Sequence, residues 1–280
     1  MADGLSARRL RQWVWFERWL SEGYSIRQLG KQSGYAVMTL RRIIHWWLDR
    51  PPLSDIGNLA GARHVIVDGA YLHGRQSAFV LVWDHTTSRL IAGGYGIKEG
   101  HTTMQPFCEA LAARGLNPIS ITTDGHRGLV QTLRRVWPEA ILQRCLFHMR
   151  KQGMQWCRRR PTRPAARQLR SLFAQLCSLR TPGQRDAFMV AWTTWEQRYG
   201  QAIADSRRGG WVFPDLQQAR RLIHRALPDM FHYLDNPGIP QTTSAVEGCI
   251  GRFKQQYRRH RGLADHRVAN LFQWYFHVLR

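Results

Sequence analysis

The chain has 280 residues, with 41 Lys and Arg against 19 Asp and Glu, so its formal net charge is +22. Its 44% hydrophobic content and 12 tryptophans exclude a disordered basic tail, and its short apolar runs exclude a helix that spans a membrane. The five scattered cysteines and a start without an apolar signal segment favour a reducing, cytoplasmic location. A folded, basic and aromatic-rich chain is typical of a protein that binds nucleic acid.

Residues 6–50 have the pattern of three helices. In the first helix, Leu10, Val14 and Leu20 are spaced along one face together with several tryptophans, so we expect this face to be buried. The composition changes after residue 50, because two prolines and two glycines interrupt a polar stretch. We therefore expect a separate N-terminal domain at 1–50 and a linker at 51–62.

The second and third helices have the spacing of a helix-turn-helix. Ser25 is placed to cap the second helix, and Gly34 falls where a tight turn between helices requires positive φ. Arg41 and Arg42 lie off the apolar stripe of the third helix, which is the helix that enters the major groove in this motif. The pattern favours a DNA-binding domain, although an ordinary three-helix scaffold has similar spacing.

The middle of the chain alternates between strand and helix patterns, which predicts an α/β fold. Three hairpin-like strands followed by helix, strand, helix and strand give a mixed five-stranded sheet flanked by helices over residues 63–150. Residues 151–240 are helical, and residues 241–280 form two further helices. The expected strands are 64–72, 77–84, 89–97, 118–124 and 140–145, and the expected helices between and after them are 102–115, 127–138, 242–260 and 263–280.

Two carboxylates follow buried-looking strands in a chain with few acids. Asp68 comes at the end of "VIVD" and Asp124 at the end of "ITTD". If the first and fourth strands are neighbours, both carboxylates reach the same edge of the sheet, where a cation would relieve their repulsion. Oxygen ligands with open positions suit Mg²⁺ or Mn²⁺. Each aspartate alone could also be an ordinary Asp-Gly turn residue.

A third acid, Glu247, lies in the helical stretch "TTSAVEGCIGRFK" among small residues. Lys254 and Arg258 follow at i+7 and i+11, so one helix face runs from an acid into a basic track suited to a phosphate backbone. The alternative is a solvated glutamate on a basic surface helix. Asp235 and Asp265 are the competing candidates for a third metal ligand.

The chain resembles the ribonuclease-H-like DDE transposases, and more narrowly the Mutator-like group with its bacterial insertion-sequence relatives. The matching stretches are "VDGAYLHGR", "TTDGHRGLVQTLRRVWPEAILQRCLFHMRKQ" and "TTSAVEGCIGRFKQQYRRHRGL", which span most of 65–152 and 242–263. The resemblance implies that Asp68, Asp124 and Glu247 form a catalytic triad that holds two Mg²⁺ or Mn²⁺ ions. It also implies that the all-α segment at 151–240 is an insertion into a ribonuclease-H-like core.

The stretch "RCLFHMRK" places Cys145 and His148 at C-x-x-H spacing. Because no second pair has the spacing of a zinc finger, we do not expect a structural zinc site. The resemblance points to a C-x-x-H motif beside the catalytic sheet, which could orient DNA or support Asp124; a buried Cys with a packing His is equally compatible. His126 could contact phosphate or cap the next helix.

These observations predict a DNA transposase whose partners are the terminal repeats of a mobile element and its target DNA. We expect it to act as a homodimer or higher oligomer on DNA and to have no membrane partner. Two alternatives stay open: a non-catalytic DNA-binding protein derived from a transposase, and a stand-alone ribonuclease-H-like nuclease. Metal-dependent joining of an element end to a target separates the three.

Overall fold

The computed structural model describes residues 6–52, 57–72, 77–98, 101–206 and 214–278. Within them, five strands form one sheet: β1 (His64–Leu72), β2 (Ser77–Asp84), β3 (Arg89–Tyr95), β4 (Ser120–Thr123) and β5 (Ile141–Arg144). The strand order is β3-β2-β1-β4-β5. β1, β2 and β3 pair antiparallel, whereas β4 lies parallel to both β1 and β5. The predicted mixed five-stranded sheet is confirmed, and its order is compatible with a ribonuclease-H-like fold.

Helices surround the sheet, and the four whose bounds were predicted one by one begin and end within a few residues of those bounds. They are α1 (Ala7–Glu17), α2 (Ile26–Ser33), α3 (Val37–Leu48), α4 (His101–Ala112), α5 (Arg127–Val136), α6 (Leu146–Trp156), α7 (Pro164–Gln175), α8 (Pro182–Trp195), α9 (Gln201–Ala204), α10 (Pro214–Ala226), α11 (His232–Asp235), α12 (Ser244–Arg259) and α13 (Asp265–Val278). Parts of the expected linker at 51–62, of the helical segment (207–213) and of the last helix (279–280) lie outside the described residues.

The turn chemistry predicted for the N-terminal helices is confirmed. Ser25 caps α2 through a capping box with Gln28, and Gly34 ends that helix at φ +73°. The expected core face of α1 is wrong in part, because Leu10 and Val14 are 47% and 48% exposed. The buried face consists of residues further along the chain, Phe16 and Leu20 among them, and the helix continues as a π-helical turn after Glu17.

Both faces of the sheet are covered, since alternate residues of β1 contribute to two different cores. Ile66 packs with residues of α1, α3, α12 and α13, whereas Val65 and Val67 pack with residues of α4 and α5. The N-terminal helices thus share one hydrophobic core with the sheet and the C-terminal helices. Gln256 of α12 reinforces this contact by donating hydrogen bonds to the backbone carbonyls of Trp19 and Leu20.

The helical segment after the sheet has a third core of its own. Leu169 and Phe173 on α7 pack with Phe188 and Trp192 on α8. The segment begins earlier than residue 151, because α6 starts at Leu146, directly after β5. Across the described ranges, no helix has both the length and the apolar character that a membrane crossing requires.

Candidate active site

The sheet register places Asp68 and Asp124 at the same level of neighbouring strands. Val67 pairs with Thr123 in the parallel β1–β4 ladder, so the aspartates are the next residues on each strand. Asp68 is buried, at 4% exposure, and its Oδ1 accepts a hydrogen bond from the Gly69 N–H. The sequence-based expectation that the first and fourth strands are neighbours is therefore confirmed.

Helix α12 brings Glu247 to this edge because its apolar face packs against the sheet. Val246, Ile250 and Phe253 are buried in the core that also contains Ile66 of β1. The small residues around Glu247 are on the outer side: Ala245, Gly248 and Gly251 are exposed. They therefore do not serve to bring the helix close to the sheet, and they leave the outer face of α12 open to a partner.

Three side chains converge at the sheet edge: Asp68, His148 and Glu247. Their potential ligand atoms all lie within 4.8 Å of one another. His148 Nε2 is 3.2 Å from Glu247 Oε1, and both side chains are about one third exposed. Asp68 and Glu247 were predicted to meet, whereas His148 was expected beside the catalytic sheet, to orient DNA, support Asp124 or pack, and not beside these two acids.

The C-x-x-H motif connects β4, α6 and α12. The Cys145 N–H donates to the Thr123 carbonyl, so the start of α6 is held against the end of β4. Thr243 N–H donates to Cys145 Sγ at 3.3 Å, and Thr243 Oγ1 lies 3.4 Å from His148 Nδ1. Thr243 occupies the N-cap position of α12, but its hydroxyl makes no cap hydrogen bond and serves this network instead.

Cys145 has the properties of a packing residue. It is fully buried, and burial raises the pKa of its thiol despite hydrogen bonds from Thr243 that lower it. The thiol fills space at the junction of β4, α6 and α12 and accepts a hydrogen bond from the Thr243 N–H.

The Asp124 carboxylate does not belong to the converging group. Its Oδ1 accepts a hydrogen bond from the His126 N–H at 2.8 Å, which closes the turn between β4 and α5. His126 occupies the N-cap position of α5 without a side-chain cap hydrogen bond. The structure thus brings together two of the three predicted carboxylates and places the third one residue beyond the same sheet edge.

Arg144 is a residue of this region that no sequence pattern indicated. It ends β5, is 8% exposed and donates from Nη2 to the Asp124 carbonyl at 3.1 Å. Burial lowers the pKa of its guanidinium, and the neighbouring Asp124 and Asp229 carboxylates act against that decrease. An arginine inside a short strand has no sequence signature that would distinguish it from the other arginines of the chain.

The donor set of the converging group fits a divalent cation. Two carboxylates and one imidazole form a compact set of oxygen and nitrogen donors, and such a mixed set suits Mn²⁺ better than Mg²⁺. Burial and the neighbouring Arg258 lower the pKa of Lys254. The nearby Asp68 carboxylate acts against that decrease. A basic group therefore borders the acids, as the sequence predicts.

The remaining predicted residues lie outside this group. Arg41 and Arg42 are exposed on α3, and Arg258 is exposed on α12. The competing acids are elsewhere: Asp235 pairs with Arg185 at 3.1 Å, and Asp265 stands in the first turn of α13.

The middle of the chain is similar in sequence to a known protein family. Residues 89–219 match the sequence model described as "Transposase, Mutator family". That segment includes Asp124, Cys145 and His148, and it leaves Asp68 and Glu247 outside. The chain is also 26% identical over 181 residues to the transposase for insertion sequence element ISRM5 of Rhizobium meliloti (strain 1021). The aligned region covers 60% of this chain and 42% of that protein, so the chain spans about two fifths of its relative.

Proposed function

Because residues 89–219 match the Mutator family of transposases, we propose that this chain cleaves DNA at the ends of a mobile element and joins those ends to a target. The observation that carries the proposal is the convergence of Asp68, Glu247 and His148 at one sheet edge of a chain with a net charge of +22. Acids at such an edge are surrounded by positive charge, which favours the approach of a polyanion.

We assign the catalytic roles to Asp68, Asp124 and Glu247 on a ribonuclease-H-like core. The strand order and the shared level of the two aspartates support this assignment. Asp124 would join the other acids by giving up its hydrogen bond with the His126 N–H. His148 lies beside Glu247 and is itself held by Thr243.

Asp68, Glu247 and His148 would hold one divalent cation, Mn²⁺ or Mg²⁺, and Asp124 would contribute to a second. Such ions stabilise the charge that develops on the attacking and leaving oxygens of a phosphodiester during an in-line displacement. The chain itself positions the ligands: β1 fixes Asp68, α12 fixes Glu247 and α6 fixes His148. The positive charge of Lys254 beside Asp68 is suited to a scissile phosphate on the same edge.

We propose that α2 and α3 form a helix-turn-helix that recognises the element ends. The first half of α3 is open to solvent, since Val37, Met38, Arg41 and Arg42 are exposed, while its second half is buried. The first residues of a recognition helix are the ones that reach base edges. On α12, Lys254 and Arg258 are placed to contact the phosphate backbone independently of sequence.

The test is cleavage and joining of labelled duplexes taken from each side of the coding sequence, with Mn²⁺ or Mg²⁺ present. We expect Asp68→Asn and Glu247→Gln to lower cleavage by at least about 10²-fold while binding to the same duplexes is retained, because positioned charge at the reacting phosphate is lost. Asp235→Asn and Asp265→Asn serve as controls with the same change in charge, and we expect near-parental rates.

Three outcomes would contradict the proposal. Binding of element ends without any metal-dependent cleavage would indicate a DNA-binding protein derived from a transposase. Cleavage without joining, and without preference for element ends, would indicate a nuclease. Loss of cleavage in the Asp235 or Asp265 variant, with Glu247→Gln still active, would move the third metal ligand away from α12.

A further inference from the structure

A cavity of about 540 Å³ lies where the sheet core meets the helical segment. Gly125, which follows Asp124, lines one side of it, and α10 lines the other. Its walls contain five arginines and one tryptophan: Arg127, Arg134, Arg144, Arg221, Arg225 and Trp156. None of these residues belongs to the predicted DNA-binding set, so the cavity is a feature that the sequence patterns do not account for.

The walls of this arginine cavity have far more positive than negative charge. Asp229 is the single carboxylate among the lining residues, and Arg134 pairs with both of its oxygens at 2.8 and 3.0 Å. Arg127, Arg221 and Arg225 are exposed and make no ion pair with any other described residue. Like charges held this close repel one another, so an anionic ligand would stabilise the arrangement.

Arg144 is a second and independent sign of an anion site. Its side chain is more than nine-tenths buried, and its Nε has no hydrogen-bond partner in the described part of the chain. A buried guanidinium is costly unless most of its donors are satisfied, and the Asp124 carbonyl satisfies only one of them. Because Arg144 lines the cavity, an anionic ligand there would compensate the charge of this guanidinium.

The position of the cavity identifies the kind of anion. Arg144 pairs with Thr123 in the β4–β5 ladder, and Thr123 pairs with Val67, the residue before Asp68. The cavity therefore opens two strands away from Asp68, at the same level of the sheet. It is also large enough for a unit bigger than one phosphate ion.

We propose that the arginine cavity binds successive phosphates of the DNA strand that crosses the sheet edge at Asp68 and Glu247. The inference rests on the proposed function, because it assumes that DNA reaches this edge. It adds a second anchor for the strand, shared between the core and the helical segment, so that α10 contributes to holding the substrate.

The experiment compares two double variants that remove the same charge. Arg221→Gln/Arg225→Gln changes the cavity, and Arg89→Gln/Arg198→Gln changes two exposed arginines that do not line it. Affinity for a fluorescent duplex is measured across a range of salt concentrations. Each lost phosphate contact reduces the slope of log affinity against log salt concentration by about 0.9 in magnitude. We therefore expect this slope to fall by about 1 to 2 in the cavity variant and to stay near the parental value in the control.

Folding is checked by thermal unfolding, and the single variants Arg221→Gln and Arg225→Gln replace the double variant if it is destabilised. Equal slopes for the cavity variant and the parent, or equal losses in the cavity and control variants, would overturn the inference. Displacement of the duplex by millimolar inorganic phosphate in the parent, with no such sensitivity in the cavity variant, would assign the cavity to a free anion and also overturn it.

The same proteins separate this inference from the proposed function. If the parent binds duplex DNA without cleaving it and the affinity of the cavity variant depends less on salt, phosphate binding by the arginine cavity is supported and the catalytic proposal fails. If the parent cleaves and joins element ends while the cavity variant keeps its full slope, the catalytic proposal stands and the arginine cavity fails.

Discussion

Gly125 and Arg144 show how a single residue can set the geometry beside the acids. Gly125 has φ +82°, and a Cβ at this position would overlap the Arg144 guanidinium. The sequence suggests a turn at this Asp-Gly pair. The structure shows that the glycine is also needed to leave room for Arg144. The absence of a side chain allows a buried arginine to reach the Asp124 carbonyl and hold the end of β4 in place.

We expect Gly125→Ala to destabilise the fold more than a left-handed backbone alone explains. Gly262 is the matched control, because it has φ +89° and a Cβ there meets nothing within 4 Å. Gly262→Ala should lower the free energy of unfolding by about 1–2 kcal/mol through backbone strain. Gly125→Ala should lose about 1–3 kcal/mol more, since Arg144 must move. Urea unfolding measures both, and equal losses would show that Arg144 adjusts without cost.

His148 should contribute to metal affinity as one of the three groups that would hold the cation. We expect His148→Ala to raise the Mn²⁺ concentration for half-maximal cleavage by at least about 10-fold, since losing even a contact behind a metal ligand costs about 10–100-fold in affinity. His85→Ala is the control, because His85 is exposed and outside the converging group. A titration of cleavage against Mn²⁺ measures the effect. An unchanged midpoint would limit His148 to packing beside Thr243.

At the scale of elements, the N-terminal helices are part of the main core and not an isolated module. Trp274 of α13 donates from Nε1 to the Trp47 carbonyl, and Arg267 pairs with Asp49 at 2.8 Å. These contacts fix the buried second half of α3 on α13 and leave its first half exposed. Deleting residues 1–50 would uncover this core, so point substitutions are the appropriate test of DNA recognition.

We expect Arg41→Ala/Arg42→Ala to reduce discrimination between element ends and random duplex. Base-edge contacts contribute about 1–3 kcal/mol of discrimination each, so the ratio of the two affinities should fall by about 10-fold or more. Arg8→Ala/Arg11→Ala removes equal charge from α1, where both side chains are exposed, and should weaken the two affinities alike. Competition binding at fixed salt gives both ratios. Parallel losses in the two variants would remove α3 from base recognition.

Local patterns predicted the elements well, because the information they need is within a few residues. The Ser25 cap and the Gly34 turn are of this kind. Contacts between distant segments were not predictable in the same way. Cys145 meets Thr243 across 98 residues, and nothing in either stretch states that pairing. Leu10 was wrongly expected in the core because spacing shows a possible apolar face and not what covers it.

At the scale of the whole molecule, α12 links the sheet edge to the N-terminal helices. One end of α12 presents Glu247, and the other ends at His260, which stacks on Trp19 with ring centroids 3.9 Å apart. His260 Nε2 is 2.7 Å from the Trp19 carbonyl. The same helix therefore depends on the packing of the first and last parts of the chain, and a change in that packing affects overall stability.

This packing should make stability depend on pH through His260. Burial lowers the pKa of His260 from its ordinary 6.5 to about 4, although the hydrogen bond to Trp19 acts in the opposite direction. Between these values the unfolded chain binds more protons than the folded chain. The free energy of unfolding therefore increases with pH across this window. It decreases by up to about 3 kcal/mol as pH falls from about 6.5 to about 4.

Urea unfolding at pH 7 and pH 5 tests the prediction, with His260→Gln and the exposed His266→Gln compared with the parent. Gln cannot be protonated, so the His260 variant should lose about 2 kcal/mol less than the parent between the two pH values. His266→Gln should follow the parent, because this side chain is 66% exposed and lies outside the contact between α12 and Trp19. Carboxylates and other histidines titrate in all three proteins and cancel in the comparison. Parallel losses in all three proteins would mean that His260 is protonated without disturbing the contact between α12 and Trp19.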